Sequence, residues 1–325
     1  MQQEIKSRVV GVDISIKRTT YAIVDVRGNI HASDHFPTTD YTTANDFITA
    51  LSEKIITMTE ANGGYEQIRS IGVSSPSANF LTGCIENAAN LPWKGIIPLG
   101  AMLRDRMGIA VAVGNDAHVS ALGEYSYGCA HGMNNFIIVS LGHGIGSCIF
   151  SNGKVHFGAD GFAGEIGHAC VEHNGRECGC GRYGCLEAYC AEKGIIKTAQ
   201  EMLEQSDEPS LMRSLDRISP KGIAECCEQG DKMAIEVYRK TGEILGLAVA
   251  NYASILDPEA VIFTGGISNA GKWLFDPAYE SFEAHVFHNI RGNVKFLRST
   301  ISDRERDVLG ASALAWGIKE YSLFK

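Results

Sequence analysis

Alternating apolar and polar positions near the amino terminus predict three β-strands in succession. Val10, Val12 and Ile14 alternate with smaller or polar neighbours, which is the pattern of a strand with one buried face. Two further strands, separated by a glycine-containing turn, are predicted over residues 21–26 and 30–36. The chain therefore opens with an antiparallel meander.

The same order of strands recurs in the second half of the chain. Residues 136–141 and 147–150 predict two strands around a glycine-rich turn, the pair Asn152-Gly153 predicts a hairpin, and residues 155–157 predict the return strand. Helical stretches follow in each half, for example over residues 41–61. We interpret this as an internal repeat of architecture rather than of identity.

The rest of the second half predicts a long buried helix and a strand that runs into a glycine pair. The helix covers residues 231–252, ends at Asp257-Pro258 and carries one apolar face. A strand over residues 260–263 leads into Thr264-Gly265-Gly266 and another helix, an arrangement that suits phosphate or ribose binding. Residues 306–320 predict a closing helix.

Length and charge narrow the class of protein. A chain of 325 residues exceeds one comfortable hydrophobic core, so we expect two domains with a cleft between them. The formal net charge of −9, without a block of Lys and Arg, argues against a nucleic-acid partner. The amino terminus lacks an apolar signal core, and no run approaches the ~18 apolar residues of a membrane helix. We therefore predict a cytosolic protein without a membrane partner.

A compact set of metal-type ligands lies between residues 168 and 185. The four candidate ligands are His168, Cys178, Cys180 and Cys185. Ten cysteines in a reducing compartment are not expected to form a disulfide framework, and three thiolates with one imidazole suit a structural Zn²⁺. A reduced glycine-rich loop with free thiols is the plainer alternative, and Cys170 and His173 are reserve ligands.

Three longer motifs occur in the order of the signatures of a known family. They are Gly114-Asn-Asp-Ala-His-Val-Ser-Ala-Leu-Gly-Glu124, Gly161-Phe-Ala-Gly-Glu-Ile-Gly-His168 and Cys178-Gly-Cys-Gly-Arg-Tyr-Gly-Cys-Leu-Glu187. Together they resemble the ROK family. Residues 90–95, residues 256–259 and the pair Gly265-Gly266 also resemble family segments, so the likeness spans nearly the whole chain.

The resemblance implies an α/β fold of two actin-like domains, as in sugar kinases and heat-shock ATPases, around a cleft and with a small zinc-binding loop. A small amino-terminal domain would cover residues 1–117 and be closed by the carboxy-terminal helix in residues 305–325. A large domain would cover residues 118–304 and carry the zinc loop of residues 168–185. A homodimer is expected from the same resemblance.

By the resemblance, Asp116 is the catalytic base. It would take the proton from the sugar hydroxyl as that hydroxyl attacks the γ-phosphate of ATP, and a carboxylate within hydrogen-bond reach can serve this role. Asp116 also follows a strand and precedes an apolar helical stretch, where Asp is favoured for capping alone. The residues by themselves leave both interpretations open.

A ring of polar side chains around the sugar is implied in the same way. Its members are Asn79, Asn115, Asp116, Glu165, His168 and Glu187. His168 would coordinate zinc through one ring nitrogen and contact the sugar through the other. For Glu165 and Glu187, the alternative is a solvated carboxylate at a helix end.

The phosphate side departs from the family pattern. The family's first phosphate loop reads Asp-x-Gly-Gly-Thr, whereas this chain has Asp13-Ile-Ser-Ile-Lys-Arg-Thr19. Ile16 places an apolar side chain where phosphate would rest. Lys17 and Arg18 either meet the phosphates with charge or lie on a solvated hairpin tip.

The second phosphate loop keeps its glycines and replaces a hydroxyl by the imidazole of His143, and the Pro-Gly of a sugar-domain loop becomes Pro76-Ser77. The nucleotide contacts implied by the resemblance are Asp13, Lys17, Gly142, His143, Gly144, Gly265 and Gly266. Asp13 would help to place the Mg²⁺ that accompanies ATP.

We expect a glucokinase-like enzyme that uses ATP and Mg²⁺ to phosphorylate a hexose or an N-acetylhexosamine. The alternative is a sugar-binding sensor or regulator that kept the hexose site but lost productive ATP binding at residues 15–18. A DNA-binding repressor would need a helix-turn-helix before the first strand, and only about eight residues precede Val9, so we do not expect one. The sugar itself cannot be chosen from sequence, because the candidate hexoses differ by single groups.

Overall fold

A computed structural model describes residues 6–88, 90–302 and 305–318. The chain forms two compact units. The first contains the described residues through Gly132, Phe157–Phe162 and those from Thr300 onward, and the second contains Met133–His156 and Ala163–Ser299. Residues 118–132, which the sequence analysis placed in the large domain, therefore lie in the first unit.

The first unit is built on a five-stranded mixed sheet. Its strands, with those of a small second sheet, are β1 (Arg8–Ile14), β2 (Arg18–Asp25), β3 (Ile30–Pro37), β4 (Ile68–Ser74), β5 (Ala78–Asn79), β6 (Cys84–Glu86), β7 (Ile96–Ile97) and β8 (Ala110–Gly114). The main order is β3-β2-β1-β4-β8, and the small sheet is β5-β6-β7. β1 to β3 form the predicted antiparallel meander, and β4 and β8 run parallel to β1.

Local chemistry sets the helices of this unit, α1 (Ala44–Ala61), α2 (Leu99–Met107), α3 (Asp116–Tyr127) and α9 (Arg306–Trp316). α1 begins where the Thr43 hydroxyl accepts a hydrogen bond from the Asp46 amide at 3.1 Å. α9 lies against the main sheet at two glycines. A Cβ on Gly72 would stand 1.9 Å from the Ala311 carbonyl oxygen, and one on Gly11 would stand 2.3 Å from that of Val308.

The second unit repeats the sheet of the first. Its strands are β9 (Phe136–Leu141), β10 (Ile145–Ser151), β11 (Lys154–Val155), β12 (Ala260–Thr264) and β13 (Lys295–Arg298), in the order β11-β10-β9-β12-β13. Three antiparallel strands are again followed by two parallel ones. The predicted architectural repeat is therefore present in the pairing of both sheets.

The helices of the second unit are α4 (Glu187–Cys190), α5 (Glu192–Gln205), α6 (Pro220–Glu228), α7 (Lys232–Leu256) and α8 (Lys272–His285). α7 starts after Asp231, whose carboxylate accepts from the amides of Met233 and Ala234, and stops at Asp257, which has a φ of 46°. A large apolar core includes residues of α5 to α8 and of strands β9 and β12.

Most predicted elements are present, with boundary shifts of a few residues. The predicted helix over residues 41–61 starts at Ala44. The predicted helix over residues 306–320 ends at Trp316, because residues 317 and 318 are not helical, and residues 319–325 lie outside the described part of the chain. The predicted strand over residues 155–157 is shorter, because Phe157 leaves the sheet and stacks on Phe80 of the first unit at 4.6 Å. None of the described helices is long and apolar enough to cross a membrane.

Candidate functional site

Parallel pairing places polar residues together at one edge of the first unit's sheet. Asp13 at the end of β1 is the register partner of Ser74 at the end of β4, and Ser74 is the partner of Gly114 at the end of β8. Asp116 follows β8 directly and opens α3. The carboxyl ends of these three strands therefore form a polar edge, as in other parallel sheets that bind ligands there.

Asp13 has the most perturbed carboxylate at this edge. Burial, followed by the negative charges of Asp307 and Asp116, raises the pKa of Asp13 well above its ordinary value, while Ser74 and Arg18 act in the opposite direction. Asp307, in the first turn of α9, was missed in the sequence because nothing in its spacing connects it to β1. A cation near these three carboxylates would relieve their repulsion.

Asp116 is not needed as the cap of its helix. The N-cap of α3 is Asn115, whose Oδ1 accepts from the Ala117 amide at 2.8 Å; Asp116 Oδ1 lies 2.9 Å from the same nitrogen. Removal of water by the surrounding protein raises the pKa of Asp116, although the side chain keeps access to solvent. The geometry leaves this carboxylate able to meet a ligand hydroxyl.

Asn79 has a structural role that its sequence position did not indicate. Its side chain is 5% exposed, its Oδ1 accepts from the Leu81 amide at 2.9 Å, and its Nδ2 donates to the Asp160 carbonyl oxygen at 3.1 Å. A Cβ on Gly161 would stand 2.6 Å from Asn79 Oδ1. Asn79 thus fastens the segment Phe157–Phe162 and keeps one amide proton and one carbonyl lone pair for other partners.

The altered first phosphate loop is a tight hairpin tip. The Ser15 amide and hydroxyl both donate to the Arg18 carbonyl oxygen, at 3.0 and 2.7 Å. The side chains of Ile16, Lys17 and Arg18 are exposed. Arg18 lies close enough to Asp13 to lower its pKa, so this cation faces the carboxylate edge rather than open solvent alone.

A cluster of four metal-type ligands lies in the second unit. The ligand atoms of His168, Cys178, Cys180 and Cys185 all lie within 4.8 Å of one another. His168 Nδ1 is 3.7 Å from Cys178 Sγ, and Cys180 Sγ is 3.7 Å from Cys185 Sγ. A tetrahedral ion with bonds of about 2.3 Å to sulfur has ligand separations of about 3.8 Å, so the cluster fits an ion of that size.

The electrostatics of the cluster also favour a cation. Burial, then the neighbouring thiols, raises the pKa of Cys185 to about 12, whereas the Arg182 amide lowers the pKa of Cys180. Crowded thiolates repel each other unless a positive ion lies among them. Since His168 approaches the cluster through Nδ1, its Nε2 is the nitrogen left to contact a ligand.

A short turn positions Glu165 and His168. The 3-10 turn Ile166–His168 packs against β10 so closely that a Cβ on Gly167 would stand 2.5 Å from the Ile145 carbonyl oxygen. The Glu165 side chain is exposed and that of His168 is half-buried. Both residues therefore lie on a rigid support at the start of β10.

Glu187 and Glu192 bind the glycine loop between β9 and β10 through hydrogen bonds and an ion pair. Glu187 Oε2 accepts from the Ile145 amide at 2.9 Å. The Glu192 amide donates to the Gly142 carbonyl oxygen at 3.0 Å, and the Glu192 carboxylate pairs with His143 Nδ1. Glu192 was missed in the sequence because it lies 50 residues beyond Gly142, with no motif of its own.

A cavity of about 790 Å³ opens beside this loop in the second unit. Its lining includes Gly142, His143, Glu192, Pro220, Tyr238, Gly266, Ile267 and Ala270. Gly265, at the end of β12, has a φ of 85°, and a Cβ on it would stand 2.4 Å from the Leu141 carbonyl oxygen. The two predicted glycine motifs thus meet at one cavity of the size that small ligands occupy.

Comparison with known proteins shows which family the chain resembles over nearly its whole length. The family model described as ROK family matches residues 9–317. A glucokinase of Halalkalibacterium halodurans is 30% identical over 320 residues, which are 96% of this chain and 94% of that protein. The Escherichia coli DNA-binding transcriptional dual regulator NagC is 33% identical over 213 residues, which are 65% of this chain and 51% of the regulator.

A solved structure has the same fold over nearly all of its length. The ROK family glucokinase from Streptomyces griseus, in complex with glucose and AMPPNP, is 29% identical to this chain with a TM-score of 0.76. The match covers 95% of this chain and 99% of that one. The predicted α/β fold of the actin-like kinase type is therefore confirmed.

Proposed function

We propose that this chain, which belongs to the ROK family, phosphorylates a hexose or N-acetylhexosamine with Mg·ATP. The observation that carries the proposal is the state of Asp116. It is exposed at the start of α3, its pKa is raised, and Asn115 already caps the helix. The similarity of the whole chain to a glucokinase, over most of the length of both proteins, supports the same conclusion.

Asp116 would act as the general base. The sugar hydroxyl gives its proton to the Asp116 carboxylate while the hydroxyl oxygen forms a bond to the γ-phosphorus, and ADP leaves with the electrons of the broken bond. A raised pKa suits this task, because a stronger base accepts the proton more readily at neutral pH.

The sugar would be oriented by the polar ring of the sequence analysis. Asn115, Glu165, His168 and Glu187 offer oxygen and nitrogen atoms for the remaining hydroxyls, and Asn79 offers its one free amide proton and lone pair. Buried, hydrogen-bonded contacts of this kind discriminate between sugars that differ by one hydroxyl.

The nucleotide would occupy the cavity beside the glycine loop. Gly142, His143 and Gly266 line it, Gly144 and Gly265 are their neighbours in the chain, and the backbone amides of glycines can approach phosphate oxygens closely. Lys17 would contribute charge in place of the missing glycines. Asp13 would hold the Mg²⁺ that neutralises the phosphates.

We also propose that the cluster of residues 168–185 binds one structural Zn²⁺. Three thiolates and one imidazole are the ligands of closed structural zinc sites, and the separations between the ligand atoms support this assignment. A cytosolic homodimer is part of the same proposal.

A second candidate function is sugar sensing without turnover. The side chain of Ile16 is 42% exposed at the tip of the loop that would receive the phosphates, and an apolar group there weakens anion binding. The similarity to NagC, over half of that regulator, is compatible with this candidate.

Two measurements on the zinc-loaded protein distinguish these functions. Calorimetry measures binding of Mg·ATP, and ADP release is followed with a panel of hexoses and N-acetylhexosamines. The kinase proposal predicts Mg²⁺-dependent ATP binding and turnover with at least one sugar. Sugar binding without ATP binding or turnover would contradict it and support the sensor.

A further inference from the structure

The side chain of Glu187 links the Cys/His cluster to the glycine loop. Glu187 Oε2 accepts from the Ile145 amide at 2.9 Å, and Glu187 Oε1 lies 3.8 Å from Cys178 Sγ. The side chain is half-buried. One carboxylate thus contacts a cluster ligand at one oxygen and the end of the glycine loop at the other.

Gly144 packs directly against the Glu187 carboxylate. A Cβ on Gly144 would stand 2.5 Å from Glu187 Oε2, which is closer than non-bonded atoms approach. A side chain at position 144 would therefore force the Glu187 carboxylate to move. The hydrogen bond to Ile145 and the packing of Gly144 fix the same oxygen from two sides.

The segment that carries Glu187 is hydrogen-bonded to both the Cys/His cluster and the glycine loop. At its start, the Ala188 amide donates to the Cys185 carbonyl oxygen at 3.0 Å. At its end, the Glu192 amide donates to the Gly142 carbonyl oxygen at 3.0 Å. The single turn α4 therefore spans from a cluster ligand to the loop, and a displacement of Cys185 moves the residues that hold Gly142 and Ile145.

We propose that Glu187 is a positioning residue that couples metal occupancy of the Cys/His cluster to the shape of the Gly142–Ile145 loop, and so to nucleotide affinity. A bound metal fixes Cys178 and Cys185, and Glu187 transmits their position to the loop. The assignment of the ligand as a nucleotide rests on the proposed function. The coupling between cluster and loop rests only on the contacts described above.

Hydrogen exchange at the Ile145 amide measures the coupling without any ligand. In the zinc-loaded protein, Glu187→Ala is expected to speed exchange at Ile145 by about tenfold, because an amide bonded to a charged acceptor loses its partner. Removal of zinc by a chelator should speed it similarly in the wild type. Glu187→Gln, which keeps an acceptor oxygen, should give a smaller change.

The decisive arm combines the two perturbations. If Glu187 carries the coupling, removing zinc from the Glu187→Ala variant adds little further exchange at Ile145, since residues of one network are not additive. Glu177→Gln is the matched control, because Glu177 lies in the same loop and is exposed. Additive effects, or unchanged exchange at Ile145 on zinc removal while the sheet amides of β12 stay protected, would overturn the proposal.

Nucleotide binding is then measured by calorimetry with Mg·ADP. The account predicts about tenfold weaker binding in the zinc-free wild type and in zinc-loaded Glu187→Ala. If exchange at Ile145 responds as expected but no form binds Mg·ADP, the coupling stands and the kinase function fails. If Mg·ADP binds equally to every form, the coupling to nucleotide affinity is wrong while the kinase function survives.

Discussion

Among single residues of the candidate site, Asp13 is the one whose ionisation most clearly lowers the stability of the fold. Its pKa is raised well above the usual value by burial and by the charges of Asp307 and Asp116. Because the folded-state pKa lies above the unfolded one, the ionised carboxylate destabilises the fold at pH values above the folded pKa. This destabilisation decreases as pH falls and disappears below the unfolded value of about 3.9.

Asp13→Asn is therefore expected to raise the melting temperature near pH 8, with a stabilisation on the order of 1 kcal/mol. The gain should shrink as the pH approaches 4. Thermal unfolding of both proteins across this pH range checks the prediction. Asp276→Asn, at an exposed carboxylate of α8, should change little at any pH, and an Asp13→Asn protein that is less stable at pH 8 would refute the argument.

The backbone conformation of Ser77 has a cost in stability that can be measured. Ser77 adopts a φ of 56°, which residues other than glycine rarely occupy. Ser77→Gly removes this strain but adds backbone freedom to the unfolded chain, so a net stabilisation of about 0.5–1 kcal/mol is expected. Ser77→Ala separates the hydroxyl from the backbone effect and should not stabilise the protein, as measured by thermal unfolding.

Single site residues were predictable where a motif carried them. The motif around Asp116 drew attention to that carboxylate, but only the hydrogen bond from Ala117 to Asn115 distinguishes a cap from an available base. Asp307 and Glu192 carry no local signal, because they reach the site through tertiary packing of α9 and α5. Asn79 was identified by position, whereas its two hydrogen bonds to backbone required the fold.

Among the elements, α9 depends on a glycine in the sheet beneath it. A Cβ on Gly72 would stand 1.9 Å from the Ala311 carbonyl oxygen, so Gly72→Ala must push α9 away from β4. We expect a loss of stability of about 2–3 kcal/mol, the cost of overpacking a rigid contact. Thermal unfolding measures it.

Gly317→Ala is the matched control for this change. Gly317 ends the same helix, and an added Cβ would meet atoms no closer than 3.4 Å. Its effect should stay within about 0.5 kcal/mol. Equal melting temperatures for Gly72→Ala and the wild type would show that α9 is not held at this contact.

Some element boundaries are set by local residues that the sequence identifies, and others are set by contacts between residues distant in the chain. Thr43 and Asp231 are ordinary N-cap residues, and both precede helices whose interiors the hydrophobic pattern predicts. β11 ends earlier than its alternating pattern indicates, because Phe157 stacks on Phe80. A contact distant in sequence overrides the local preference there.

For the whole molecule, the repeated strand order explains why the fold could be predicted from the sequence. Each sheet starts with an antiparallel meander and adds two parallel strands, and the meander is the part that period-two patterns and turn residues reveal. The parallel strands β4 and β13 were not predicted, since strands buried in mixed sheets lack a clear alternation. The prediction of function depended on the sequence motifs and not on the fold, because one fold can support many functions.

The most direct test of the account is the rate of sugar-dependent ADP release by Asp116→Asn compared with the wild type. Removing a general base is expected to lower kcat by about 10²–10⁴-fold, while calorimetry shows sugar binding within a few-fold of the wild type. Asp276→Asn should leave both quantities unchanged. Turnover by Asp116→Asn at the wild-type rate would contradict the assignment of Asp116 as the base and, with it, the proposed reaction.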